Sequence, residues 1–227
     1  AAEDQAHFLA VTAHELRTPE GVLAGTAARL QQHWAMLEDE ERDELFEGMA
    51  NSATRLRRLL TDLLTASRLQ SSKLELNLEE VDAASVAEVA VATILRLHPD
   101  AEIILDSEPG LVVSADADRL AQAVDNLVGN ALRHGTPPVH VEVRRAGSDT
   151  VEIAVTDAGA GVPDEMRGRL FDRFATGRSQ GGTGLGLYIV RQLARSHGGE
   201  ATYRPAGPGQ TDSGEFVVSL PLSTATA

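Results

Sequence analysis

A short segment near the N-terminus places a nucleophile, a carboxylate and a hydroxyl within about one helical turn. The segment reads His14-Glu15-Leu16-Arg17-Thr18-Pro19. Glu15 could hydrogen-bond the imidazole of His14 and take a proton from it while the other ring nitrogen attacks a phosphoryl group. Thr18 lies four residues after His14, on the same helical face, and Pro19 predicts a bend in the helix. Taken alone, an exposed histidine on an amphipathic helix is the commoner interpretation.

A second polar group lies along one face of a helix predicted over 116–134. Asn126 and Asn130 are four residues apart, and Arg133 and His134 end the helix. Asn130 could supply a carbonyl oxygen to Mg²⁺, a hard cation that prefers oxygen ligands. Arg133 and His134 could reach phosphates. Two asparagines at this spacing are common on exposed helices, so this pair alone is weak support for a site.

Two glycine-rich stretches follow. The first comes directly after a predicted strand and reads Asp157-Ala158-Gly159-Ala160-Gly161. Its carboxylate could accept a hydrogen bond from an exocyclic amine, and Gly159 and Gly161 permit close backbone approach. The second opens a predicted helix, where backbone N–H groups could hold phosphate, and reads Gly182-Thr183-Gly184-Leu185-Gly186-Leu187. Each stretch is weak by itself, since many turns are similar and the P-loop spacing and lysine are absent.

Leucines at heptad spacing predict two long helices over residues 1–70. The first seam contains Leu9, Leu16, Leu23, Leu30 and Leu37, with Ala13, Ala27 and Trp34 between them; the second contains Leu45, Met49, Ser52, Leu56, Leu59, Leu63 and Ala66. A 3.5-residue repeat is typical of helices in a supercoiled bundle. One hairpin has little core, so we expect a homodimer whose four helices bury both seams. Glu38 to Glu41 is expected to turn the chain and to start the second helix.

The heptad pattern of the first 70 residues is replaced by a different pattern from about residue 73, and the boundary between two domains is expected near residues 71–72. Period-2 alternation and turn residues predict strands over 74–78, 102–106, 111–114, 139–143, 151–155, 200–204 and 215–220. Helices are predicted over 86–97, 116–134 and up to about residue 197. Strands with interspersed helices indicate an α+β sandwich, which we assign to residues 73–222.

Composition restricts the partners. The formal net charge of −14 gives a surface that repels nucleic acid and anionic lipid, so we expect no nucleic-acid partner. The chain has no cysteine, which excludes disulfides and thiolate metal sites and is compatible with a reducing cytoplasm. No apolar run approaches the roughly 20 residues that a membrane span needs.

Taken in order, these motifs resemble those of bacterial sensor histidine kinases over residues 5–222. The segment from His14 to Pro19 is similar to the H-box, although Glu20 stands where the family usually has an apolar residue. The stretches 125–134, 157–161, 171–174 and 182–187 resemble the N, G1, F and G2 boxes of the GHKL ATPases. The resemblance implies a two-helix hairpin that dimerises into a four-helix bundle, followed by an α/β sandwich of the GHKL type.

The resemblance also implies roles for individual residues. Asp157 would recognise the adenine amino group of ATP, and Asn130 would bind Mg²⁺. Residues 162–182 would form a mobile lid. The other nucleotide-binding candidates are Asn126, Arg133, His134, Gly159, Gly161, Phe174, Gly182, Thr183, Gly184, Leu185 and Gly186.

The implied activity is ATP-dependent autophosphorylation of His14, followed by transfer to an aspartate of a response regulator. Thr18 matches a position that can orient a water for dephosphorylating the regulator. We expect the cytoplasmic portion of a membrane-anchored sensor, with no membrane contact by this segment. One alternative is a GHKL ATPase of the gyrase, chaperone or mismatch-repair kind, which would not need the H-box hairpin. Another is a non-catalytic dimeric scaffold, which the intact Asn130, Asp157 and glycines disfavour.

Overall fold

Two compact units make up the chain, Ala1–Ser72 and Lys73–Ala227. The structure, a computed structural model, describes residues 2–70, 75–175, 184–207 and 214–223. Within those ranges, no helix is both long enough and apolar enough to cross a bilayer.

The first unit is a helical hairpin. Helix α1 (Ala2–His33) leads into a 3₁₀ turn (Trp34–Met36), and helix α2 (Asp39–Gln70) returns alongside it. Helix α2 begins with three acidic residues, which complement the positive end of the helix dipole. The backbone N–H of Glu38 donates to the Glu41 carboxylate at 3.1 Å. The acidic segment therefore starts the second helix, as predicted.

The heptad seams lie between the helices but are incompletely covered within one chain. Leu30, Leu37, Leu59 and Ala66 are buried. Leu16, Leu23, Leu45, Met49, Ser52, Leu56 and Leu63 are half-buried. Trp34 is exposed, and so are Ala13 and Ala27. Pro19 is buried inside α1, which continues through it to His33. One hairpin therefore leaves much of its apolar seam accessible.

The second unit is an α/β sandwich. Its strands are β1 (Glu79–Asp82), β2 (Ile103–Ser107), β3 (Val112–Ala115), β4 (Val139–Ala146), β5 (Thr150–Thr156), β6 (Glu200–Arg204) and β7 (Glu215–Pro221). Its helices are α3 (Ala83–Leu97), α4 (Ala117–His134), the single turn α5 (Asp164–Arg167) and α6 (Gly186–Ser196). The main sheet has the order β2-β4-β5-β7-β6, and β1 pairs with β3 separately. Strands β2 and β4 are parallel, whereas the other neighbours are antiparallel.

The core lies between the main sheet and helices α3, α4 and α6, which pack on one another and on the strands. Alternate positions of β4 and β5 supply buried valine and isoleucine, and α4 supplies Leu120 and Leu127, each at most 2% exposed. Alternation along a strand sends successive side chains to opposite faces. The predicted α+β class is therefore confirmed.

Charged residues of neighbouring strands pair on the face of the sheet opposite these valines. Glu152 is 6% exposed and accepts hydrogen bonds from both Arg144 and Arg204. Glu215 accepts from the same two arginines. The hydrogen bond from Arg204, followed by the charges of Arg204 and Arg144, outweighs burial and lowers the pKa of Glu152. This buried carboxylate is therefore ionised in the folded unit.

One strand prediction was wrong. Residues 75–78 form no strand, and the strand begins at Glu79 instead. The backbone N–H of Asn77 donates to the Asp116 carboxylate at 3.0 Å rather than to a neighbouring strand. Leu74 lies outside the described residues. The alternation of leucines was real, but a strand also needs a partner, which β3 supplies only from Glu79 onwards.

Candidate phosphoacceptor and nucleotide sites

His14 is exposed on α1. The hydroxyl of Thr18 donates to the backbone carbonyl of His14 at 3.4 Å, which is the pattern expected for residues one helical turn apart. Thr18 is also exposed. The structure therefore presents His14 and Thr18 to solvent, where another domain can approach them.

Glu15 faces the second helix. Its Oε2 lies 3.1 Å from Nη2 of Arg55 on α2, and both residues are half-buried. In the described part of the chain, no hydrogen bond joins Glu15 to the imidazole of His14. Arg55 was not found from the sequence, because the two partners are 40 residues apart.

Helix α4 positions the polar residues of the second unit. Asp116 caps its first turn by accepting from the N–H of Arg119 at 3.1 Å. Burial alone would raise the pKa of Asp116, but the backbone donors of Asn77 and Arg119 lower it overall. The sequence spacing then places Asn126 and Asn130 one turn apart on the helix. Asn126 is buried and Asn130 is half-buried.

The last turn of α4 carries Arg133 and His134, both on the surface. Partial burial of the ring, together with the charge of Arg133, lowers the pKa of His134. Both effects favour the neutral form of the imidazole. A neutral ring can donate one hydrogen bond to a phosphate oxygen, while Arg133 supplies positive charge.

Asp157, at the end of β5, is held by the loop that follows α4. Its Oδ1 accepts from the N–H of Thr136 at 3.2 Å and from the N–H of Gly159 at 2.7 Å. The N–H of Ala158 donates to the carbonyl of Thr136 at 2.8 Å, which closes the link between the two loops. Asp157 is half-buried. The carboxylate is therefore fixed in place by backbone donors.

Gly135 leaves the space that this carboxylate occupies. A Cβ on Gly135 would lie 2.6 Å from Asp157 Oδ1 and 2.7 Å from the carbonyl oxygen of Ala131. Gly159 is equally constrained, since its Cβ would lie 2.6 Å from the same Oδ1. Gly135 was not singled out from the sequence, because a glycine after a helix is commonly a C-cap.

The F-box (171–174) and the G2 segment (182–187) are joined by a backbone hydrogen bond. Phe174 has a φ of 60°, which is unusual for a non-glycine residue, and its N–H donates to the carbonyl of Gly184 at 3.0 Å. This bond joins the F-box to the G2 segment. Arg173 donates to the Tyr188 hydroxyl at 2.7 Å and lies 4.7 Å from the centre of its ring.

The G2 segment begins helix α6. Leu185 is 1% exposed and anchors the segment in the core, and Gly186 is the first residue of α6. A Cβ on Gly186 would lie 3.9 Å from Oδ1 of Asn126. Gly182, Thr183 and the lid positions 176–181 lie outside the described residues.

These contacts join the described nucleotide candidates in two places. The loop after α4 touches the loop after β5, and the middle of α4 touches the start of α6. In the ranges given above, no group of three or more histidine or acidic side chains could hold a metal by itself. Asn130 carries an amide oxygen, a ligand type that suits hard cations.

Two family models match the chain. The His Kinase A (phospho-acceptor) domain matches residues 4–72, and the Histidine kinase-, DNA gyrase B-, and HSP90-like ATPase matches residues 115–224. The probable sensor histidine kinase TcrY of Mycobacterium tuberculosis is 36% identical over 223 residues, which cover 95% of this chain and 45% of that protein. The chain spans about half the length of the curated relatives it matches.

Solved structures agree with this match. The mycobacterial sensor histidine kinase MprB is 32% identical with a TM-score of 0.56, covering 64% of this chain and 97% of that chain. The Acinetobacter baumannii histidine kinase AdeS is 25% identical with a TM-score of 0.72, covering 93% of this chain and 98% of that chain. The chain therefore belongs to the sensor histidine kinases of two-component signalling, with a phosphoacceptor domain and a GHKL-type ATPase domain. The resemblance inferred from the sequence motifs is confirmed.

Proposed function

We propose that this chain uses Mg-ATP to phosphorylate His14 and then passes the phosphoryl group to an aspartate of a response regulator. The observation that carries the proposal is the Asp157 carboxylate, held by the N–H groups of Thr136 and Gly159 beside the end of α4. A carboxylate fixed at this place is suited to accept a hydrogen bond from the exocyclic amine of adenine. The exposed His14 supplies the matching acceptor.

Different residues bind the adenine, the phosphates and the magnesium ion of Mg-ATP. Asp157 accepts from the adenine amine, and Arg133 and His134 contact phosphates. Asn130 offers its amide oxygen to Mg²⁺, which neutralises phosphate charge when it is bound with ATP. The site proposed for ATP is completed by Asn126, Gly159, Gly161, Phe174, Gly184, Leu185 and Gly186, and the sequence motif adds Gly182 and Thr183. Positioning and charge neutralisation account for most of the catalysis in phosphoryl transfer.

In the transfer step, one ring nitrogen of His14 forms a bond to the γ-phosphorus while the bond from that phosphorus to the β,γ-bridging oxygen breaks. ADP leaves with the bridging oxygen. The proton on the other ring nitrogen goes to the Glu15 carboxylate. The phosphohistidine then transfers its phosphoryl group to the regulator's aspartate. In a separate phosphatase reaction, the Thr18 hydroxyl would orient a water that hydrolyses this aspartyl phosphate and releases inorganic phosphate.

The proposed domains are residues 1–70, for dimerisation and phosphotransfer, and residues 73–222, for ATP binding. A homodimer through the hairpin is supported by the incompletely covered seams and by Leu60 and Leu64, next to the second seam, which remain 45% and 59% exposed in one chain. The chain would act as the cytoplasmic portion of a membrane sensor.

The test compares two histidines of one helix. His14→Gln removes the attacking nitrogen but keeps a good helix former. His33→Gln makes the same change at the exposed end of α1. With γ-labelled ATP, we expect acid-labile, base-stable label on wild type and His33→Gln, none on His14→Gln, and ATP binding by all three. Label on His14→Gln would place the acceptor elsewhere, and ATP hydrolysis without any protein label would favour a GHKL ATPase.

A further inference from the structure

The carboxylate beside the phosphoacceptor is bound to the opposite helix. Arg55 Nη2 lies 3.1 Å from Glu15 Oε2, and the side chains are 37% and 23% exposed. The pair spans the hairpin from α1 to α2. Between Gly48 and Thr61, helix α2 carries three arginines and no acidic residue, so no carboxylate within that stretch competes with Glu15 for Arg55.

The direction of Glu15 follows from helix geometry. Consecutive residues in an α-helix do not face each other, because each is rotated by about 100° from the last. Glu15 is turned towards α2, where Arg55 binds it, while His14 is exposed. No hydrogen bond links the two side chains within the described ranges. The Glu15 carboxylate, which is proposed to accept the proton, is therefore directed away from the imidazole of His14 in this structure.

We propose that Arg55 is a positioning residue that holds Glu15 away from His14 until the phosphoryl group is delivered. This inference rests on the proposed function. For the transfer, Glu15 must leave Arg55 and turn towards the ring, so that the proton from the imidazole nitrogen reaches its carboxylate. In this role Arg55 acts only through Glu15 and is not proposed to contact ATP or the reacting atoms. Its effect is on the fraction of molecules in which Glu15 is available.

The expected change in the autophosphorylation rate follows from the solvent exposure of the Arg55–Glu15 ion pair. Partly exposed ion pairs change an equilibrium constant by about two- to fivefold. Freeing Glu15 should therefore raise the autophosphorylation rate constant at saturating ATP by about two- to fivefold. The KM for ATP should not change, because nucleotide binding belongs to the other unit.

The experiment uses Arg55→Gln, which removes the charge and keeps the polar chain. Arg55→Lys keeps the charge and should stay within about twofold of the wild-type rate. Arg57→Gln is the matched control: it removes the same charge two residues away, from an exposed side chain that binds no carboxylate in the described structure. Circular dichroism establishes that each variant is folded.

A double-mutant cycle separates positioning from a structural role. In a Glu15→Gln background there is no carboxylate to release, so Arg55→Gln should no longer raise the rate. The same gain in both backgrounds, or an unchanged or slower rate for Arg55→Gln with Glu15 intact, would overturn the role of Arg55. Wild-type protein that takes up no label would instead refute the proposed function, and this inference with it.

Discussion

Replacing Gly135 with alanine puts a methyl group where the Asp157 carboxylate lies. The new Cβ would be 2.6 Å from Oδ1 and 2.7 Å from the Ala131 carbonyl oxygen. The backbone at Gly135 has a φ of −89°, which alanine adopts without strain, so the side-chain clash is the whole perturbation. Since the Ala131 carbonyl is held within α4, residue 135 must shift away from it, and the Asp157 carboxylate must also move to make room for the methyl group.

The magnitude follows from what Asp157 loses. Its hydrogen bond from Thr136 is already long at 3.2 Å, so a shift of roughly 0.5–1 Å away from Gly135 breaks it. The displaced carboxylate can no longer meet the adenine amine in the proposed position. A hydrogen bond to a charged group contributes about 1.5–3 kcal/mol, and each 1.4 kcal/mol is about tenfold in affinity. We expect Gly135→Ala to weaken ATP binding by about 10- to 150-fold.

Isothermal titration calorimetry with ADP and with a non-hydrolysable ATP analogue measures this loss. Both ligands should weaken equally, because both carry adenine. Gly168→Ala is the control, since a Cβ there meets nothing within 4 Å, and its affinity should stay within about twofold. A Gly135→Ala protein that is folded and binds nucleotide as wild type does would show that Asp157 is not the adenine acceptor.

Three further results are expected. Asp157→Asn should weaken ADP and ATP binding by about tenfold or more, whereas Asn130→Ala should impair Mg²⁺-dependent turnover more than ADP binding. Calorimetry measures nucleotide binding and label uptake measures turnover; if the two variants affected binding and turnover equally, the assignment of Asp157 to adenine and Asn130 to Mg²⁺ would be contradicted. Thr18→Ala should leave autophosphorylation largely intact and slow regulator dephosphorylation, so equal phosphate decay with both kinases would exclude a role for Thr18. Because the folded-state pKa of Glu152 is lowered, its stabilisation is present above the unfolded pKa of about 4.3 and is lost as pH falls through the folded value. Urea unfolding of the second unit should therefore show stability falling below about pH 4.5, less steeply in Glu152→Gln, and parallel pH profiles would refute this contribution.

The parts of the fold that depend on local periodicity were predictable. The heptad leucines gave both long helices, and α4 and β5 were placed within a residue or two of their observed bounds. Strand β1 was misplaced because strand pairing is decided by a distant partner, β3. The single turn α5 lies in a glycine-rich stretch where no periodicity marks it.

The site residues, like the fold, divide into those that local sequence patterns predict and those that depend on distant contacts. Motif spacing singled out His14, Asn130 and Asp157, and their individual roles stay predictions. Arg55 was missed because no local pattern links it to Glu15, although a turn near residue 37 places the two helices antiparallel and these positions at a similar level. Gly135 was missed because its importance comes from the Asp157 side chain, which reaches it across the fold.

The hydrogen bond between Ala158 and Thr136 has a consequence for how nucleotide binding divides between enthalpy and entropy. Together with the two donors to Asp157, it fixes the two loops proposed to bind adenine during folding, before any ligand arrives. Little backbone ordering should then remain for the adenine end when ATP binds. We expect amide hydrogen exchange at Thr136, Ala158 and Gly159 to be slow already in the free protein and to slow little further with ADP.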